Sequence, residues 1–204
     1  ATRLALDPKA KTADRITGIG PLTEPKPDTA LGLARARAAS AMMLALPGVT
    51  YMYQGEELGL PEAVDIPDDK RQDPTFFRTA GQSYGRDGCR VPIPWEANAV
   101  NYGFGPAGEP WLPQPAVYRE YARDLQEGSP ASTLALYTSA LAIRKDRALG
   151  DGTLEWIEGT PDNVLGFRNG EVTVFINYSD EDFALPAGEI ILDSADSSSG
   201  VLTP

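Results

Sequence analysis

Histidine is absent from the 204 residues, and with it go Ser-His-Asp triads, HExxH zinc sites and every imidazole general base. Cysteine occurs once, as Cys89, so no internal disulfide or paired-cysteine metal site can form, and a reducing, cytoplasmic setting is expected. Positive charge is scarce: Lys plus Arg number 18 against 29 Asp plus Glu, a formal net charge of −11 that repels phosphate backbones and anionic headgroups. Neither nucleic acid nor a membrane is an expected partner. The longest weakly polar run, Ala38 to Tyr53, has 16 residues and is cut by Pro47-Gly48, short of the roughly 20 that a bilayer requires. No charged segment followed by an apolar stretch marks a secretory leader. What remains is ordinary globular material with 42% hydrophobic residues, enough to build a core. Any chemistry rests on carboxylates, Arg or Tyr, with no metal or cofactor expected.

Along the chain, residues 1–27 are rich in Pro, Lys and Asp and read as loop. Asp28 stands as an N-cap before a run of Ala, Leu and Arg, predicting a helix to Leu46 that Pro47-Gly48 ends. Its apolar residues wrap most of the circumference, so a buried packing helix is expected. Val49 to Tyr53, bounded by Gly48 and Gly55, reads as a buried strand, and a helix turning into a buried strand is an α/β unit. Gly59 to Gln114 has many Pro, Gly and Asp and almost no periodicity, far beyond the length at which structureless loops become uncommon. A short helix is expected over Ala116 to Gln126, and a longer one capped by Ser129-Pro130 and closed at Gly150. Beyond Gly150, Val172, Val174 and Ile176 alternate with Thr173, Phe175 and Asn177, and Asn169-Gly170 is a hairpin signal. Those three apolar residues are expected to pack with Leu154, Trp156, Val164 and Leu165. The end is thus a small antiparallel β module with a short serine run at Ser197 to Ser199. A lone buried strand leaves unpaired edges, so these elements read as a piece of a larger fold.

Three groupings could carry chemistry. Glu56 and Glu57 follow the expected strand, where ligand-facing groups of α/β proteins collect. Adjacent residues in extended chain point to opposite faces, so they cannot form a facing acid and nucleophile, and a loop-anchoring role is expected. Arg86 to Trp95 gathers two guanidinium forks, a carboxylate, glycines and an indole in ten residues. Such a set can bind sugar hydroxyls and stack on a pyranose, or an Arg-Asp pair can simply fasten the loop. Asp65, Asp68, Asp69 and Asp73 lack the order of a calcium loop and read as solvated surface. Cys89, without a partner base, reads as a packed thiol.

The stretch Leu46-Pro-Gly-Val-Thr-Tyr-Met-Tyr-Gln-Gly-Glu-Glu-Leu-Gly-Leu60, then Arg71-Gln-Asp-Pro74 and Gly85-Arg-Asp-Gly-Cys-Arg-Val-Pro-Ile-Pro-Trp95, closely resembles the α-glucosidase and oligo-1,6-glucosidase branch of glycoside hydrolase family 13, the α-amylase superfamily. The resemblance implies an α/β fold: the C-terminal part of a (β/α)8 TIM barrel over residues 1–149, with an active-site rim loop at 59–114, followed over 150–204 by a small antiparallel β-sandwich, there truncated. Asp28 to Leu46 is similar to barrel helix seven, Val49 to Tyr53 to strand eight, and Ala131 to Leu149 to the last helix. The family's retaining mechanism uses an Asp nucleophile, a Glu acid/base and a supporting Asp, all of which the resemblance places before Ala1, so no catalytic residue is expected within the chain. One contact carries over: Arg86 matches the first residue of the family's Arg-Asp-Gly/Asn motif and is implied to bind the terminal glucose of a short α-glucoside oligosaccharide.

The implied function is a portion of a retaining α-glucosidase, inactive by itself. Two alternatives stand beside it: a non-catalytic carbohydrate-binding or interaction module, and a transglycosylating relative such as a trehalose synthase or sucrose isomerase.

Overall fold

Helix α1 (Thr29–Ala45) begins at the cap the sequence places before it. In the computed structural model, which describes residues 20–21, 27–105, 108–195 and 200–203, the Leu31 amide donates to Asp28 Oδ1 at 3.0 Å and that of Gly32 to the Asp28 carbonyl at 2.9 Å. Apart from residues 20, 21 and 27, the loop expected over residues 1–27 lies outside the described residues, as does the run Ser197 to Ser199. Most of α1 is only half-buried or exposed, with Gly32 and Leu44 the buried positions. The expected buried packing helix is therefore corrected: among the described residues too little packs on it, so its first turns are largely exposed and residues 36–43 half-buried all round.

Two compact units divide the chain. One takes the described residues through Arg35 together with Tyr53–Leu134; the other takes Ala36–Met52 and Ala135–Pro204. The first contains no strand among its described residues. Helices α2 (Pro74–Arg78) and α3 (Arg123–Gln126) and four 3₁₀ turns, at Asp68–Lys70, Asp87–Cys89, Val100–Gly103 and Ala116–Tyr121, are joined by irregular chain. The single helix expected over Ala116–Gln126 is broken at Ala122, which takes an extended ψ of 143° and is completely buried. The long aperiodic stretch has a core of its own, in which Ala63, Ile66, Val91, Leu112 and Tyr118 pack together, flanked by Leu60 and Tyr102. The Tyr118 hydroxyl donates to the Pro61 carbonyl at 3.0 Å, and burial, with Glu62 and Cys89 nearby, pushes its phenol pKa up. Its hydroxyl therefore serves as a fixed hydrogen-bond donor.

Helix α4 (Thr133–Asp146) starts later and ends earlier than expected. Ser129-Pro130 forms a preceding turn, with the Ser132 amide bonded to the Ser129 carbonyl at 3.1 Å. The capping acceptor is instead the Gln126 side chain, whose Oε1 takes the Leu134 amide at 3.2 Å. At the other end Ala148 turns left-handed (φ 50°) and a 3₁₀ turn covers Leu149–Asp151, so Gly150 lies inside that turn and does not close the helix.

In the second unit, Tyr137 and Ala140 of α4 pack against Leu44 with Leu192 alongside, and the Tyr137 and Ser40 hydroxyls share a 2.7 Å hydrogen bond. A helix leaves its last carbonyls without internal partners, and here side chains take them. Arg144 Nη1 donates to the carbonyls of Leu44 (2.7 Å) and Leu46 (2.6 Å), and its Nη2 donates to that of Gly48. Asn169 Nδ2 donates to the carbonyls of Ala45 (2.8 Å) and Leu149 (2.9 Å). A cation at a helix C-terminus also complements the helix dipole. Arg144→Met preserves side-chain length but removes the fork, and we expect it to destabilise the chain by about 1.5–3 kcal/mol, the scale of a hydrogen bond to a charged group. An unchanged thermal midpoint in calorimetry contradicts that assignment.

Val49–Tyr53 is not a strand in this structure. A β-ladder requires a partner, none lies beside it among the described residues, and Val49 and Tyr51 are 82% and 86% exposed. The β module does form. Strands β1 (Leu154–Trp156), β2 (Val164–Asn169) and β3 (Val172–Asn177) make an antiparallel sheet in sequence order. The hairpin turns one residue later than expected: Asn169 pairs with Val172, leaving Gly170-Glu171 as the loop, with Gly170 at φ 60°. Register places Leu165 opposite Ile176 and Phe167 opposite Val174, with Trp156 across from Phe167. Val164, grouped with these by sequence, belongs to the other face, because it pairs with Asn177 and residues one apart point oppositely. A second ribbon pairs β4 (Phe183–Ala184) with β5 (Val201–Leu202). Asn177 Nδ2 ties it to the sheet through the carbonyls of Glu181 (2.8 Å) and Leu202 (3.0 Å).

Candidate functional site

Residues 71–75 and 85–90 are locked together by two carboxylates, each gripping the other segment's backbone. Asp87, completely buried, accepts the amides of Gln72 (2.8 Å) and Asp73 (2.9 Å) on Oδ2. Asp73 caps α2 by accepting the Thr75 amide on Oδ1 at 2.8 Å, ahead of Pro74 at the first helical position. Its Oδ2 accepts the Arg86 amide at 2.9 Å and Arg90 Nη1 at 3.3 Å. The two glycines of the motif are required by this closeness. Gly85 has φ +68°, and a Cβ there would stand 2.6 Å from Asp73 Cγ; one on Gly88 would stand 2.6 Å from the Ala63 carbonyl oxygen. The Ala63 amide also donates to the Gly88 carbonyl at 2.9 Å.

Burial opposes ionisation of Asp73, but the amides of Thr75 and Arg86 and the charge of Arg90 outweigh it, holding its carboxyl below its ordinary pKa. With a lowered folded-state pKa, the stabilisation is complete above the ordinary carboxylate value. It is lost only as pH falls through the lowered one. Asp87 Oδ1 is buried with no hydrogen-bond partner among the described residues.

Arg71 is a second fixed point. Its buried guanidinium donates to the Ile66 carbonyl at 2.8 Å and to Asp68 Oδ1 at 3.3 Å. It lies over the rings of Tyr84 at 4.6 Å and Phe76 at 5.3 Å, distances at which a cation is attracted to an aromatic face.

Arg86, the residue singled out from sequence, is different. Its backbone is held by Asp73, yet its side chain is exposed and makes no hydrogen bond or ion pair among the described residues. The fastening that sequence could assign to an Arg-Asp pair exists, but it runs through Arg90 and Asp73 rather than through Arg86 and Asp87. A fixed Cα with an open guanidinium suits recognition of neighbouring hydroxyls or a carboxylate. Trp95 presents a partly exposed indole, its amide bonded to the Tyr102 carbonyl at 2.7 Å.

Other expectations need correction. Asp65, Asp68 and Asp69 are exposed as expected, but Asp73 is buried, because its cap and Arg90 compensate its charge. Cys89 is exposed rather than packed, since its 3₁₀ turn buries Asp87 and Gly88 and leaves the thiol outside, where Sγ donates to the Arg86 carbonyl at 3.2 Å. Around Glu56 the turn is held by backbone: Gly59 N to Glu56 O at 2.9 Å and Leu60 N to Gly55 O at 3.0 Å. Sequence reading did not single out Arg71, Arg90 as an anchor, or Asp73 as a hub; the Asp73-Pro74 pair, an N-cap before a first-turn proline, is the signal that could have found the last. Among the described residues no helix is long and apolar enough to cross a membrane.

The sequence profile of the α-amylase catalytic domain matches residues 22–152, more than half of the chain. A probable α-glucosidase from Rhizobium meliloti is 39% identical over 153 residues, covering 72% of this chain and 27% of that protein. A salivary α-glucosidase from Anopheles gambiae is 32% identical over 167 residues, covering 76% of this chain and 27% of its own length. The crystal structure of an α-glucosyl transfer enzyme, XgtA, superposes with a TM-score of 0.67 at 36% identity over 80% of this chain and 32% of that one. The chain thus spans about a quarter of the length of these curated relatives. With its Arg86 motif embedded in the matched stretch, the chain belongs to the α-amylase family of glycoside hydrolases.

Proposed function

We propose that this chain is the C-terminal portion of a retaining α-glucosidase acting on terminal α-linked glucose of short oligosaccharides. Residues 1–149 supply the last part of a (β/α)8 barrel with its rim loop at 59–114, and residues 150–204 supply a β-sandwich domain. The observation that carries the reading is Arg86: an open guanidinium on an anchored backbone, inside a stretch matched to the α-amylase catalytic domain. Arg86 grips hydroxyls of the glucose in the reacting subsite, and the nucleophile, acid/base and supporting Asp come from polypeptide outside these residues. The exposed apolar side chains of Val49 and Tyr51 fit a segment that becomes barrel strand eight once paired. The low cysteine content, Cys89 alone in the sequence, fits a cytoplasmic enzyme.

Retaining hydrolysis needs two positioned carboxylates, so the 204-residue chain alone should not turn over p-nitrophenyl α-glucoside above a boiled control. Turnover at ordinary enzyme rates, about 1 to 1000 per second, overturns the reading by locating the site within the chain. Because the similar XgtA is an α-glucosyl transfer enzyme, transfer to a sugar hydroxyl instead of water is the second reading. Disaccharide rather than glucose among the products of the complete enzyme distinguishes it.

A further inference from the structure

Four facts converge on Asp73: it is almost completely buried, it caps α2 through Oδ1, and its Oδ2 holds both the Arg86 amide and the Arg90 guanidinium. Asp87 in turn fixes the backbone of Asp73 itself through that residue's amide. The two oxygens of Asp73 thus have separable tasks. One starts a helix; the other fixes the point from which the Arg86 side chain departs. We infer that Asp73 is a positioning residue for sugar recognition, acting through Arg86, and that its second oxygen is a determinant of substrate affinity in addition to its capping role. The inference rests on the sugar-binding role proposed for Arg86.

The geometry explains why a carboxylate is needed. An amide side chain has a single acceptor oxygen. In Asp73→Asn that oxygen can cap Thr75 or hold Arg86 and Arg90, but not both, and the amino group turned toward the other site meets only donors. Ser at this position keeps the cap without reaching Arg86. A misplacement of about 1 Å can cost a reacting complex heavily, so a guanidinium on a loosened backbone should bind its sugar less well even with the fold intact.

The test is a double-mutant cycle in the complete enzyme on p-nitrophenyl α-glucoside and maltose, combining Asp73→Asn with Arg86→Ala. Asp73→Asn alone should lower kcat/KM about tenfold while the circular dichroism spectrum is retained. In the Arg86→Ala background the same substitution should cost no more than about twofold, because the side chain it positions is gone. Equal losses in both backgrounds overturn the inference, as they show that Asp73 acts by another route. So does an Asp73→Asn enzyme with full kcat/KM. If Asp73→Asn misfolds, the cycle is repeated with Asp73→Ser, and misfolding of both overturns it by making the role purely structural. Should Arg86→Ala itself leave kcat/KM unchanged, the reading of Arg86 fails instead.

Discussion

Arg86→Ala is expected to lower kcat/KM of the complete enzyme on maltose-sized α-glucosides by about 2–4 kcal/mol of transition-state binding, a factor of roughly 30 to 1000. The size is that of the proposed contact: a charge-assisted fork removed from a sugar, with its hydroxyl partners left unpaired. The interpretation is clean because of where the residue's bonds lie. Asp73 holds the backbone amide of Arg86, which Ala retains, while the exposed guanidinium makes no hydrogen bond or ion pair among the described residues that folding could lose. Stability should therefore be unchanged within about 0.5 kcal/mol, the ordinary range for surface substitutions. A variant with full kcat/KM and an intact fold would sink the assignment of Arg86.

Phe167→Ala carries the largest expected effect on stability. Phe167 is completely buried in the central strand of the three-stranded sheet, opposite Val174, with Trp156 edge-on at 6.1 Å and 75°. Truncating a buried Phe to Ala costs about 3–5 kcal/mol in transfer and cavity terms, which in a small β module is most of its margin. Urea titration followed by fluorescence should show the midpoint fall sharply, since the Trp156 indole packs directly on the deleted ring. A loss under about 1 kcal/mol would mean that the site collapses around the deletion or that the sheet's core lies elsewhere.

Elements whose bonds are local were legible. Asp28 caps α1 where its side chain predicts, and the two-residue periodicity after Gly150 became an antiparallel sheet. Elements that depend on distant partners were not. Ser129-Pro130 has the residues of a cap, yet the turn they make lets Gln126, eight residues before Leu134, provide it instead, so even a near partner can displace the expected one. Val49 to Tyr53 has strand composition and no strand partner among the described residues, and composition alone cannot supply one. Arg86 and Trp95, singled out from sequence, are both exposed, as residues of a loop commonly are. Asp73 was misread as surface because its burial depends on Arg90 and on the Arg86 amide 13 residues away, information that charge counting does not hold. The exposure of Cys89 was missed although its turn is local: backbone bonds from Cys89 to Arg86 and from Arg90 to Asp87 form it, and residue types alone do not mark which side chain a 3₁₀ turn leaves outside.

The Arg144 fork joins residues 100 positions apart along the chain, closing a long covalent loop with a few hydrogen bonds to carbonyls. Closing such a span costs entropy that grows only with the logarithm of its length, about 0.6 kcal/mol for each doubling. Residues inserted into or removed from that span therefore tax the pinned ends very little, provided its own small core around Ile66 and Leu112 survives. Insertions in the exposed turns of that span should therefore leave the Arg144 contacts in place, so the length of the enclosed chain and the bonds that close it can vary independently.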